Sequence, residues 1–435
     1  MLDLIIKNGS CYIDKYLKDQ DIAIKDGKII KIGKIEEEAN EIYDAKDLTV
    51  LPGCIDTQTH FREPGSTDTE DLHSGSRAAI AGGITSVFEM PNTNPPTSSK
   101  KEFQRKLDLA KNRMYCNYAF YFGATANNAK ELSDLKNLEG CCGIKLFAGS
   151  STGNLLVADE KDIETVFQNS SKVVAVHSED EDILNINKKL IKDGDVHSHP
   201  IWRSEECAIS STRRIVRIAE RYKKKAHVLH ITTKQEIDFL SQHKGNITFE
   251  ITPQHLTIYA PDCYDKLGTY AQMNPPLRDK SHYDRLWYAV KNNLNDTIGS
   301  DHAPHLKVNK EKIYPNSPSG MPGVQTLLSV MLNHINNGKL SLEQLMNCIC
   351  ENPVKIFGIK GKGFIKEGFD ADFTIVDMNK KITIKNEDIE SKCGWTPFNG
   401  FEFKGTPIAT IINGQIKMKD GKINGEPSGE PLIFN

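Results

Sequence analysis

The chain has 435 residues, 55 basic and 58 acidic side chains for a formal charge of −3, and 38% hydrophobic residues. This length supports a well-buried core in one large barrel with an appended module, or in two or more domains, and it excludes a disordered chain. The near-neutral balance, with no dense Lys/Arg stripe among the aromatics, excludes nucleic acid as a partner, and no apolar run approaches the roughly 20 residues that span a bilayer.

The first fifty residues read as short strands with tight turns, at 2–7, 21–25 and 28–32, the last two joined at Asp26-Gly27. The N-terminus lacks the basic, apolar and small-residue regions of a secretory signal, so a cytoplasmic protein is expected. From 52 to 357 apolar strand-like runs alternate with helical patterns. The runs lie at 51–55, 83–89, 115–122, 142–147, 172–176, 226–229, 247–251 and 296–298. Between them, 99–114, 209–225 and 284–293 read as helices, the second with Ile209, Ile215, Ile218 and Tyr222 on one face. Ser341-Leu-Glu-Gln344 reads as a capping box opening a helix that stops near Asn352-Pro353. Strands return at 371–377, 408–412 and 415–419, with turns at Asn413-Gly414 and Asp420-Gly421.

Eight strands alternating with helices predict an α/β fold, a (β/α)8 barrel at 52–357 whose chemistry sits at the C-terminal strand ends. The two terminal β segments are each too short for a stable sheet, so they are expected to pair as one composite domain, 1–51 plus 358–435.

Ionisable residues appear where the apolar runs stop. If the first strand continues, period 2 aligns Asp56, Gln58, His60 and Arg62 on one face. Lys145 follows Gly143-Ile144, His177 and His230 end two further runs, and Asp301 follows Gly299-Ser300. Each has an ordinary explanation. A lone histidine at a strand end is usually structural, a lysine at an edge can snorkel to solvent, and an aspartate after Gly-Ser can cap a loop. A closed barrel gathers all of them at one mouth, which points to a metal site. Imidazoles with a carboxylate suit zinc or a similar divalent ion with a position open for water. The ten cysteines are scattered and include no C-x-x-C pair, so reduced thiols are expected and a thiolate zinc knuckle is excluded. The other histidines, including His73, His197, His199, His227, His243, His255, His282 and His334, read as structural or surface groups.

The motifs His60-x-Arg62-Glu-Pro-Gly65, Glu89-Met-Pro-Asn92, Gly143-Ile-Lys145-Leu-Phe, Val176-His177-Ser-Glu-Asp, His227-Val-Leu-His230, Met273-Asn274-Pro-Pro-Leu-Arg278 and Gly299-Ser-Asp301-His-Ala-Pro-His305 occur in order. With them the chain resembles the cyclic amidohydrolases, and among these the dihydroorotases, over nearly its whole length. The segment Ser391-Lys-Cys-Gly-Trp395 is similar to that family's tail. The resemblance implies a metal-dependent hydrolase that interconverts carbamoyl aspartate and dihydroorotate in pyrimidine biosynthesis. It implies zinc, one or two ions, held by His177 and His230 on one side and His60 and Asp301 on the other, with a carbamylated Lys145 between. Asp301 would also be the catalytic proton shuttle. Arg62, Asn92 and His305 would bind the substrate carboxylate and Asn274 its ring.

Gln58 departs from the family pattern, which usually has histidine there, and an amide oxygen is a weaker zinc donor. Two metals with one weakly held, one metal, or a non-catalytic partner of a transcarbamoylase all remain open, and the persistence of His60, Lys145, His177, His230 and Asp301 favours an enzyme. Arg62 suits a carboxylate-bearing substrate and argues against an allantoinase-like or hydantoinase-like ring opener, its ordinary alternative being a structural salt bridge to Glu63 or another carboxylate. A homodimer is expected, with transcarbamoylase association as a further expectation of the resemblance. The stretch 307–323 follows the last strand and is either a lid or a long surface loop.

Overall fold

The computed structural model describes every residue except Thr152. All of the apolar runs of the middle segment become strands. These are β1 (Cys54–Thr59), β2 (Ile84–Glu89), β3 (Asn117–Gly123), β4 (Cys141–Phe147), β5 (Val174–His177), β6 (Ala226–Val228), β7 (Ile247–Ile251) and β8 (Thr297–Ile298). They pair in sequence order and in parallel. Strands covered on both faces carry side chains buried throughout, which is why they read as continuous apolar runs rather than alternating ones. The sheet is a nearly closed (β/α)8 barrel. Its seam between β8 and β1 is joined by His60 N–H donating to His302 O at 2.7 Å and His302 N–H to Gln58 O at 3.3 Å.

The helices start where their caps say. Ser99 caps Lys100–Ala110 and Ser204 caps Glu205–Arg221, whose buried face includes Ile209, Ile215 and Ile218. The capping box at Ser341 is present, but the helix it opens does not stop at Pro353. A π-helical turn, Asn347–Glu351, leads into Asn352–Phe357, where Pro353 occupies the first turn and so needs no backbone N–H. Gly358, at φ 77°, ends it.

Both chain ends build the β domain. Phe373–Thr383 pairs antiparallel with Thr49–Pro52 on one side and with Glu402–Ile412 on the other, inside a seven-stranded sheet. Leu2–Lys7, Asp21–Lys25, Lys28–Gly33 and Ala39–Asp44 form a separate four-stranded sheet. Asn413 and Gly414, at φ 48° and 78°, make the left-handed turn that two-residue hairpins require. Glu402–Ile412 starts well before the expected 408, because Gly405 and Pro407 interrupt its apolar pattern without ending its pairing.

A buried charge cluster fastens this domain to the base of the barrel. Lys362 Nζ donates to Asp372 Oδ2 at 2.6 Å and lies 3.0 Å from Asp370 Oδ2, while Asn117, the first residue of β3, donates to Asp372 Oδ2 at 2.8 Å. Burial pulls the Lys362 pKa down, but the two aspartates outweigh it and hold the pKa above the usual lysine value. Its stabilisation is therefore complete below the pH at which an unfolded lysine titrates, about 10.4, and fades as pH rises through the higher folded value. Lys362→Met is expected to lower urea-unfolding stability by about 3 kcal/mol at pH 8, because it leaves the buried Asp372 carboxylate without its cation, whereas the partly exposed Asp370 keeps Lys28. The gap to wild type should narrow above pH ~10.4; a gap that stays constant would remove the lysine charge as its source.

Candidate active site

The C-terminal strand ends bring Gln58, His60, Arg62, Asn92, Lys145, His177, His230, Asn274 and Asp301 around one inner cavity of ≈ 20 Å³. That space suits an ion or a water rather than a substrate. Arg62 and Asn92 also line an adjoining outer chamber of ≈ 390 Å³, together with His305, a volume suited to a small molecule.

The period-2 expectation places Gln58 and His60 correctly but fails for Arg62. β1 ends at Thr59, and Arg62 reaches the site from a turn at φ 63°. His230 at φ 38° and Asp301 at φ 45° are also left-handed. Non-glycine residues adopt this conformation at a cost of about 1 kcal/mol or more each, and it concentrates at functional sites.

At the seam, Asp301 Oδ1 accepts from Gln58 Nε2 at 2.9 Å and lies 3.3 Å from His60 Nε2. His60 Nδ1 meets Asn92 Oδ1 at 2.8 Å. An amide oxygen accepts only, so this bond puts the proton on Nδ1 and leaves the Nε2 lone pair facing Asp301. Across the cavity, His177 Nε2 donates to Glu179 Oε2 at 2.8 Å, while its Nδ1 is 3.1 Å from His230 Nε2. Burial raises the Glu179 carboxyl, but Arg203 and His177 outweigh it and bring it to about 2, so it accepts only. The arrangement matches the carboxylate-backed imidazole of metal sites.

Burial, followed by nearby cations, holds His60 and His230 well below the usual imidazole range, so both are neutral. Burial also holds the Lys145 amine below its ordinary range, against the pull of Asp301, and lifts the Asp301 carboxyl above its own. Lys145 is 1% exposed on an interior strand, which removes the snorkelling explanation. Among the described residues, Gln58 Oε1 and His230 Nδ1 are buried without a hydrogen-bond partner. Neutral imidazoles, a carboxylate, an amine whose proton burial loosens and an orphaned amide oxygen make a donor set that fits a divalent cation.

Arg62 does not pair with Glu63, which binds Arg113 at 2.8 Å instead. Its Nε and Nη2 donate to Pro304 O at 3.3 and 3.1 Å. Burial lowers its pKa only to about 10, so it keeps its charge at the chamber wall. His305 Nε2 donates to Ser319 O at 3.0 Å, and Trp395 Nε1 donates to His305 O at 2.7 Å, which ties the tail segment to the chamber. The 307–323 stretch is fastened down. Lys310 Nζ donates to Gln272 O, Pro318 O and Gly320 O at 3.0, 2.9 and 3.1 Å, and Tyr314 and Met321 pack in one buried cluster with Trp395.

Sequence reasoning missed Glu179, Arg203 and His199. Glu179 shares the period-2 face of His177 and was legible by that spacing. Arg203 and His199 lie in the long connection between β5 and β6, where no periodic signal marks them. His282, Glu205 and Asp279 form a second set of grouped donors. Their atoms already serve the fold. His282 Nδ1 accepts from Lys234 N at 3.0 Å, its Nε2 meets Glu205 Oε1 at 2.8 Å, and Asp279 caps Lys280–Lys291.

The model of the amidohydrolase family matches residues 49–417. The chain is 34% identical to the dihydroorotase of Methanosarcina acetivorans, across 98% of this chain and 94% of that one. It is 35% identical to the dihydroorotase of Pyrococcus abyssi, across 99% of both. Among solved structures it is similar to the L-hydantoinase (dihydropyrimidinase) of Arthrobacter aurescens, with a TM-score of 0.94 at 28% identity over 99% of each chain. No helix is long and apolar enough to cross a membrane among the described residues.

Proposed function

We infer that this chain, which belongs to the amidohydrolase family, is a zinc-dependent dihydroorotase that interconverts L-dihydroorotate and N-carbamoyl-L-aspartate. The observation that carries the reading is the junction of the two spaces, where a chamber walled by charged Arg62, Asn92 and His305 opens beside the imidazoles, Lys145 and Asp301. A guanidinium in that wall suits a carboxylate next to the amide being opened.

One or two zinc ions held by His60, Lys145, His177, His230 and Asp301 would supply Lewis acidity at the amide carbonyl and a water of lowered pKa. Burial loosens the proton of Lys145 Nζ, and in its unprotonated form the amine can add to carbon dioxide, forming a carbamate with loss of one proton and replacing an amine with an anionic donor. Asp301 accepts the proton of the water that adds to the ring carbonyl carbon. As the carbon–nitrogen bond breaks, it delivers that proton to the leaving nitrogen, and carbamoyl aspartate results. In the reverse direction Asp301 takes the proton from the carbamoyl nitrogen as it attacks the carbon of the protonated side-chain carboxyl group, and returns it to the hydroxyl of that carbon as the carbon–oxygen bond breaks, so that water leaves. Its raised pKa brings it nearer to neutrality, where it both accepts and returns a proton. Gln58 Nε2, donating to Oδ1, keeps the carboxylate aimed.

The test is turnover of both compounds by the purified chain supplied with zinc and bicarbonate. Conversion in both directions supports the reading, and inertness in a folded, zinc-loaded sample sinks it. Arg62→Met is expected to raise KM by about 10- to 100-fold with a much smaller change in kcat, since a charged hydrogen-bonding pair to the substrate is lost. A variant whose KM is unchanged while its melting temperature falls would make Arg62 structural.

A further inference from the structure

The connection between β5 and β6 carries a buried arginine that touches three walls of the site. Arg203 is 2% exposed. Its Nε donates to Asn274 Oδ1 at 2.9 Å, its Nη1 to Glu179 Oε2 at 3.1 Å, and both Nη groups reach Ser150 O, Nη1 at 3.1 Å. Ser150 belongs to the loop after β4, Glu179 lies behind His177, and Asn274 lies in the loop after β7. The arginine is itself held, because its carbonyl accepts from Arg278 Nη1 at 3.0 Å.

The Asn274 amide is oriented by these contacts. His199 Nε2 is 3.1 Å from the same Oδ1 that Arg203 Nε occupies. The His199 N–H is shared with Met273 O at 3.0 Å, and the always-protonated Arg203 Nε requires the Asn274 atom it meets to be the oxygen, so the other amide atom, on a residue that lines the inner cavity, is the Nδ2 donor. Burial and the neighbouring Arg203 hold His199 down to about 3, so it remains a neutral donor.

We propose that Arg203 is a positioning residue that presents the Asn274 Nδ2–H to a ring carbonyl oxygen of the substrate and, through Glu179, steadies the His177 imidazole. The inference rests on the cyclic-amide reading above. A cyclic ureide offers a carbonyl acceptor there, and a ring lacking that oxygen covers the donor without pairing it, so the contact selects substrates. Lysine at 203 keeps a charge for Glu179 but cannot span three walls with one ammonium.

The experiment is a double-mutant cycle in the zinc-loaded full chain. Arg203→Lys is expected to raise KM for dihydroorotate about 10-fold while kcat changes less than about 3-fold, and Asn274→Ala to do the same. The double variant should then be within about 2-fold of Asn274→Ala alone. Effects that multiply would overturn the proposal, because Arg203 would not be acting through Asn274. Zinc per chain after dialysis against a chelator supplies a readout apart from activity. Arg203→Lys should retain it and Arg203→Met should lose it; retention by Arg203→Met would overturn the His177 arm. If the wild-type chain were inert toward dihydroorotate, the functional reading would fall. The same cycle, read by calorimetry of hydantoin binding to zinc-loaded protein, would still decide the coupling, additive losses overturning it and shared losses upholding it.

Discussion

Asp301→Asn is expected to lower kcat by about 10³-fold, the scale of losing a positioned proton carrier, while leaving the chain folded. Asparagine keeps the shape of aspartate and tolerates its left-handed backbone, at φ 45°. Its carbonyl still accepts from Gln58 Nε2, now at 2.9 Å from Asp301 Oδ1. What disappears is the basic oxygen that takes a proton from water and returns it to nitrogen. Measured zinc content and a thermal melt separate this from loss of metal or of fold. A variant with normal zinc and more than about a tenth of wild-type kcat would remove Asp301 from proton transfer.

Lys106→Met is expected to cost about 3–5 kcal/mol of stability, the scale of breaking a buried ion pair by deleting one partner. Lys106 and Glu89 are both fully buried and hydrogen-bonded to each other. Lys106 Nζ also donates to Met90 O at 2.9 Å, and the second carboxylate oxygen accepts from Phe61 N at 3.0 Å. Burial lifts the Glu89 carboxyl to about 7 even against the lysine, so without Lys106 it would protonate or sit as an unpaired buried charge. The pair also grips the backbone between His60 and Arg62, so the same variant should lose activity along with stability. Adding Glu89→Gln, whose amide oxygen can still receive Phe61 N–H, should recover more than half of the loss in urea unfolding. A single-variant loss below about 1 kcal/mol would mean that the pair contributes no more than an exposed one.

The barrel was legible because most of the parallel strands, covered on both faces, centre on short apolar runs separated by helical patterns. The candidate site was legible because polar residues interrupt those runs at their ends, as at His60, Lys145, His177, His230 and Asp301. Local pattern could not reveal groups whose meaning is a distant partner. Lys106 reads as one more polar residue on an amphipathic helix until Glu89 lies beside it. Arg203 reads as the end of a short helix until three loops close over it. Pro353 looked like a terminator because the preceding π turn, which makes room for it, leaves no mark in hydrophobic period. Arg62 was found by its motif but misplaced by period 2, since a strand pattern cannot anticipate the left-handed turn that ends the strand.

The sheet shared by the chain ends has a consequence for how the protein is made. Thr49–Pro52 is synthesised first, and its neighbour, Phe373–Thr383, is translated more than three hundred residues later. During that interval the nascent chain carries an open strand edge and an apolar face that nothing yet covers, the features that invite association between growing chains. A product truncated before Phe373 would therefore have its barrel segment present but the edge of Thr49–Pro52 bare, a natural client for chaperones and proteases.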